Sequence, residues 1–225
     1  GNGAVLTAGQ PYNITWDKHN ITGVANVKIE YSANGGADYT TIGTFSNTGT
    51  YTWTVDGAVL TTDGKVRISD PNQAAAFGIS SGSFKIQGSI TVTSPNTGAE
   101  SWDAGSSYPV TWTKTGAIPT IKILYSANSG TTYPTSVATA VTASAGTYSW
   151  AIPSDVPLST QGRIKIVDEA DSIVFDESNF DFIVKGALTL SAPNGAEDWI
   201  VGTASNITWT RYGAILNADL FYSTN

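Results

Sequence analysis

Short runs of alternating apolar and polar residues fill most of this chain, and none holds a helical period. Ile90-Thr91-Val92-Thr93, Ile121 to Tyr125, Tyr148 to Ile152 and Arg163 to Val167 each place apolar side chains at every second position, the period of a strand buried on one face. Tyr108, Val110 and Trp112 share one face, with Pro109 and Thr111 on the other. Ile173-Val174-Phe175 and Phe180 to Val184 give a last pair. Turn residues separate the runs: Ser94-Pro95-Asn96-Thr97-Gly98, Asn128-Ser129-Gly130 and, earlier, Asn34-Gly35-Gly36. Asn and Gly accept positive φ, which tight hairpins demand. The expectation for residues 88–185 is roughly seven or eight short strands with turn signals between them, the signature of a sandwich.

The pattern repeats. Tyr12-Asn13-Ile14-Thr15-Trp16 returns as Tyr108-Pro109-Val110-Thr111-Trp112 and as Ser205-Asn206-Ile207-Thr208-Trp209, so the tryptophans stand 96 and 97 residues apart. Tyr31-Ser32-Ala33-Asn34, Tyr125-Ser126-Ala127-Asn128 and Tyr222-Ser223-Thr224-Asn225 keep step, as do Trp53 with Trp150, Asp70 with Asp168 and Phe84 with Phe182. What recurs is aromatic and β-branched core with turn residues, so the repeat is architectural. The expected fold is all-β, tandem immunoglobulin-like antiparallel β-sandwiches of about 97 residues each. Repeat 1 covers 1–87 without the first strand seen in later copies, repeat 2 covers 88–185 in full, and 186–225 begins repeat 3. Tyr12, Ile14, Trp16, Ile29, Tyr31, Trp53, Ile68 and Phe84 should form one core, and Val110, Trp112, Ile123, Tyr125, Trp150, Ile166 and Phe182 its counterpart. Single glycines, Gly88 and Gly186, join the repeats, and so short a joint predicts semi-rigid stacking. The first copy starts inside a turn and the third stops after Tyr-Ser-Thr-Asn. The sequence therefore reads as a window on a longer chain, its open edges completed from outside or by a neighbour's strand.

Composition narrows the function. The 225 residues contain no cysteine, which removes disulfides, thiolate metal sites and cysteine nucleophiles. Only 13% of residues are charged and the net charge is −7, which disfavours nucleic acid or an anionic membrane as partner. No apolar run approaches a membrane span, and no signal peptide is present.

The run Ser94-Pro95-Asn96-Thr97-Gly98-Ala99-Glu100-Ser101-Trp102-Asp103-Ala104-Gly105, followed by Val110-Thr111-Trp112, then Gly146-Thr147-Tyr148-Ser149-Trp150 and Phe182-Ile183-Val184, resembles the KNH-like domain of serine/threonine-rich cell-wall proteins. Related immunoglobulin-like modules recur in tandem in long prokaryotic surface proteins. The resemblance implies an extracellular β-sandwich with a wall, coat or adhesive role, and it brings no catalytic residues. Repeat 1 departs from it with Leu6 where the later copies have Trp102 and Trp199.

Several residues are candidates for chemistry. His19 is the single histidine, which leaves a Ser/His triad or zinc site without partners; it reads as a loop residue, and the protein as no enzyme. Asp168, Glu169, Asp171 and Asp176 could gather oxygen ligands for calcium, or could simply keep a hairpin solvated. Asp70 and Asp168 suit the capping of a turn. Trp102 and Trp199 could stack on sugar rings from a loop, or plug the sandwich end where Leu6 stands in repeat 1. Asn13, Asn20 and Asn206 head Asn-Ile-Thr triplets, the acceptor pattern for N-glycosylation. Lys28 and Lys122 are out of phase with the core positions Ile29 and Ile123 and so do not suit intramolecular isopeptide links.

The function expected on these grounds is a structural segment of a long extracellular surface protein: a stalk, filament or surface-layer component at the cell surface. Its partners would be other copies of itself or neighbouring surface proteins. The alternative is a non-catalytic module of an adhesin or hydrolase that binds cell-wall or host glycans. Calcium is the one candidate cofactor.

Overall fold

The structure, a computed structural model, describes residues 3–18 and 23–224. Alternation and turn chemistry produce strands throughout, with a single 3₁₀ turn at Ala143–Ala145 among the described residues. The chain forms two compact units. Unit 1 is Gly1–Ile90 with Lys114–Pro119 and Ala170–Val174; unit 2 is Thr91–Thr113, Thr120–Glu169 and Phe175–Asn225. Residues of the third repeat thus fall within unit 2.

In unit 1 one sheet runs β1 (Val5–Thr7), β8 (Phe84–Gln87), β6 (Thr61–Asp70), β3 (Asn26–Ser32), β4 (Thr40–Ser46), with β7 (Gln73–Ile79) also on β6. The facing sheet is β2 (Pro11–Thr15) with β5 (Thr50–Thr54). Between them Leu6, Ile14, Ile29, Tyr31, Trp53 and Phe84 form one buried cluster. Burial of each such side chain contributes about 1.5–3 kcal/mol.

In unit 2 the sheet order is β10 (Ser101–Asp103), β17 (Phe182–Lys185), β15 (Ser159–Asp168), β12 (Thr120–Ser126), β13 (Thr135–Thr142), with β16 (Phe175–Glu177) on β15. It faces β14 (Thr147–Ala151), β11 (Ser107–Thr115) and β9 (Ser89–Ser94). Val110, Trp112, Ile123, Tyr125, Trp150, Ile166 and Phe182 are all buried. A separate antiparallel ribbon, β18 (Ala187–Ala192) with β19 (Thr208–Tyr212), leaves Leu188, Leu190, Ile207 and Trp209 exposed.

Each sandwich also contains a parallel pair that alternation does not announce. Leu6 stands opposite Ile86 in β1–β8, and Trp102 opposite Val184 in β10–β17. The leading strand of repeat 2 is split by the turn at Pro95: β9 joins β11 in one sheet, and β10 joins β17 in the other. Strands of three residues are too short to display a period.

The unit 1 core is less closed than its counterpart. Trp16, Val66 and Ile68 are half-buried and Tyr12 is 37% exposed, whereas Trp112, Ile164 and Ile166 are buried. The expectation of full burial for Tyr12, Trp16 and Ile68 is therefore corrected. β11 pairs with β9 on one edge and β14 on the other, while among the described residues β2 pairs with β5 alone.

Buried charge is handled differently in the two repeats. Glu30, 4% exposed, meets Lys28 Nζ at 2.7 Å and Arg67 Nη2 at 2.8 Å; the equivalent residue in repeat 2 is Leu124. Burial pushes the Glu30 carboxyl up, but the hydrogen bonds and charges of Lys28 and Arg67 hold it below the ordinary carboxylate value. A folded pKa below the unfolded one stabilises above the ordinary carboxylate range, and that stability is lost as pH falls through the folded value. Thermal melts should therefore show unit 1 weakening on acidification below about pH 4. Glu30→Leu should flatten that dependence at modest cost near neutrality, because the cations it leaves behind, Lys28 and Arg67, are 37% and 31% exposed and can be hydrated. An unchanged acid limb in Glu30→Leu would assign the effect elsewhere.

Candidate functional site: motif residues and an open slot in unit 1

Each recurring motif has a local structural task. In Tyr-Ser-Ala-Asn the tyrosine enters the core and the serine builds the turn. Ser32 Oγ accepts from the backbone N–H of Asn34 (3.2 Å) and Gly36 (2.9 Å) and donates to Asn34 Oδ1 at 2.8 Å. Ser126 makes the same set to Asn128 and Gly130, at 3.2, 3.0 and 2.7 Å. Gly36 and Gly130 lie at φ +98° and +79°, where a side chain would be strained.

In Pro95-Asn96-Thr97-Gly98-Ala99-Glu100, and in the shorter Pro193-Asn194-Gly195-Ala196-Glu197, the glutamate closes the turn on itself. Glu100 Oε1 accepts from Asn96 N at 2.8 Å and Thr97 N at 3.0 Å; Glu197 accepts from Asn194 N and Gly195 N, both at 2.8 Å. Burial raises the Glu100 carboxyl, and the backbone donors more than offset it, leaving the group below its usual value.

Trp102, expected in a loop, stands in β10 and is 5% exposed. It stacks on Tyr108 at 5.1 Å with rings 5° apart and meets Phe182 at 4.8 Å and Trp150 at 6.1 Å. Leu6 is buried at the equivalent place in unit 1. Trp102 is therefore part of the interior and offers no face to a sugar, whereas Trp199 is 47% exposed.

The acidic run disperses. Asp168 is buried at the end of β15. Glu169 accepts from Ala140 N at 2.9 Å, which holds its carboxyl below the usual value. Asp171 pairs with Lys85, and Asp176 Oδ2 accepts from Val92 N at 2.8 Å. Asp168 and Asp176 stand on the neighbouring strands β15 and β16, while Glu169 and Asp171 lie in the loop between them. Among the described residues no group of three carboxylate or imidazole side chains is placed to hold a metal ion. Melts in EDTA and in millimolar calcium should consequently coincide; a clear rise with calcium would show that these side chains regroup around it. Asp70 Oδ1 accepts from Asn72 N at 2.8 Å, the turn-capping role foreseen for it.

Asn13 lies exposed on β2 and accepts from Thr52 Oγ1 at 2.8 Å. Asn206 is exposed just before β19. His19 and Asn20 lie outside the described residues. Lys28 is bound to Glu30 on the surface side, and Lys122 is half-buried on β12.

The feature that sequence reasoning did not single out as a site is a groove. Between β2 and β7 of unit 1 a slot of about 550 Å³ opens onto the core. Ile14, Trp53 and Phe84 form its floor, with Trp16, Ile68 and Phe77 at its walls. Among the described residues Asp17 is the one charged side chain in its lining.

Residues 94–180 match the family model described as the Kre9/KNH-like N-terminal Ig-like domain, the segment whose motifs carry the resemblance. No curated protein matches the chain. Among solved structures, one of Dscam concerned with isoform specificity is similar at 10% identity and TM-score 0.35, over 82% of this chain and 44% of that one. The three N-terminal domains of the bacteriophage RB49 highly immunogenic outer capsid protein are similar at 10% identity and TM-score 0.28, over 92% of this chain and 65% of that one. A structure of sidekick-1 immunoglobulin domains 1–5 is similar at 8% identity and TM-score 0.28, over 95% of this chain and 44% of that one. The chain thus spans less than two thirds of the length of each. Among the described residues no helix is long and apolar enough to cross a membrane.

Proposed function

We propose that this chain is a non-catalytic structural segment of a long extracellular surface protein, built from tandem immunoglobulin-like domains, whose partners are other copies of itself or neighbouring surface proteins. The observation that carries this reading is the fate of the recurring residues. Trp102, Trp112, Tyr125, Trp150 and Phe182 are all buried, and Ser126, Asn128 and Glu100 are consumed in turns. A repeat that spends its landmarks on core and turns multiplies a scaffold rather than a reactive constellation. The few charged residues and net charge of −7 suit a soluble face that repels nucleic acid and anionic membrane.

Antibody raised against the 225-residue chain tests the location. Labelling of intact cells of the source organism, removed by brief surface proteolysis, is the expected result. Labelling that requires permeabilised cells would overturn the reading.

A further inference from the structure

We propose that Asn13 is an N-glycosylation site whose saccharide covers the outer face of the β2–β5 sheet. Alternation along β2 sends Asn13 and Thr15 outward and Ile14 into the core; the two polar residues are exposed and Ile14 is buried. The acceptor asparagine and the hydroxyl required after it thus stand on one accessible face. The amide is also oriented. Its Oδ1 accepts from Thr52 Oγ1 at 2.8 Å, and its Nδ2 has no protein partner among the described residues. A sugar can therefore replace one hydrogen on Nδ2 without breaking a bond of the fold.

The surroundings suit a saccharide. The outward positions of the sheet are Pro11, Asn13 and Thr15 on β2, opposite Thr54, Thr52 and Thr50 on β5. All are exposed and none is charged. The Lys28–Glu30 and Arg67–Glu30 ion pairs stand on the other sheet of the same unit. A face of hydroxyls and one amide offers sugar hydroxyls both donors and acceptors, with no ion to desolvate. Exposure here belongs to the face and not to a sheet edge. Pro109, the repeat equivalent of Asn13, is exposed although β11 is paired on both sides. Repeat 2 thus keeps the exposed position without an acceptor, and repeat 3 restores the acceptor with Asn206, which is exposed too.

The transfer joins Nδ2 to the anomeric carbon of a saccharide carried on a polyprenyl diphosphate. The bond from that carbon to the diphosphate oxygen breaks, the carrier leaves as polyprenyl diphosphate, and the amide nitrogen gives up one proton. A chain meets this co-reactant during export, so the inference rests on the extracellular reading above. Mass spectrometry of the protein purified from its source organism provides the test. The peptide that contains Asn13 should be heavier by a saccharide, with its fragments placing the added mass on Asn13. Asn13→Gln and Thr15→Ala should each remove that mass, whereas Thr15→Ser should keep it, because serine also supplies the hydroxyl. An unmodified Asn13 peptide, or a saccharide that survives Asn13→Gln, would overturn the proposal. Failure here leaves the cell-surface assignment standing, because that is read from antibody labelling of intact cells.

Discussion

Trp102→Ala should cost unit 2 about 3–5 kcal/mol, the loss typical of a buried tryptophan truncated to alanine. The indole stacks on Tyr108 and touches both Trp150 and Phe182, so its removal leaves a cavity lined by three other rings. Those rings belong to different strands and cannot all collapse into the space. Trp102→Leu should recover part of the loss, since Leu6 fills the equivalent position of unit 1. Urea denaturation followed by tryptophan fluorescence measures both variants. A wild-type midpoint for Trp102→Ala would show that the ring is not needed to fill the sandwich.

Gly162→Val is the second substitution with a large expected effect. A Cβ at Gly162 would lie 2.8 Å from the Phe182 carbonyl oxygen and 3.2 Å from its ring. The carbonyl is backbone and cannot step aside cheaply. The register of β15 against β17 shifts between Ser159 and Gly162, so the glycine also marks the bulge at which the two strands approach. Overpacking of this kind costs about 1–3 kcal/mol, and valine at a backbone contact should reach the upper end. Gly64 occupies the same place in repeat 1, against the Phe84 ring. Gly78 serves as the control: a Cβ there meets nothing within 4 Å, and Gly78→Ala should change the midpoint little. Equal midpoints for the two variants would remove the packing argument.

Sequence periodicity locates the strands that bury one face against a large core. β11, β12, β14 and β15 each alternate strongly, and Val110, Trp112, Ile121, Ile123, Tyr125, Trp150, Ile164 and Ile166 on them are buried, with Tyr108 and Tyr148 half-buried. β13 escaped the same reading because Thr-Ser-Val-Ala-Thr-Ala-Val-Thr carries small side chains on both faces and so shows weak contrast. β10 escaped because three residues have no period, which is also why Trp102 reads as a loop residue. The acidic run reads as a cluster in sequence, but Glu169 and Asp171 lie in the loop between β15 and β16 and each takes a different partner, Ala140 N and Lys85. The slot was not legible: its lining residues come from β1, β2, β5, β6, β7 and β8, and such a groove has no motif of its own.

The parallel pairing of β10 with β17 has a consequence for tension. Hydrogen bonds tie Ile183 N to Glu100 O and Ala104 N to Lys185 O, both at 2.9 Å, around the opposed pair Trp102 and Val184. Pulling on the two ends of the repeat draws β10 toward its beginning and β17 toward its end. In a parallel pair those directions oppose each other along one axis, so the ladder is loaded in shear and its bonds must yield together. A terminal antiparallel hairpin would instead peel open one bond at a time. β1 and β8 have the same geometry in unit 1. Each repeat thus carries a clamp across its own ends, and the force it withstands is set by how fast that clamp gives way rather than by the total surface it buries.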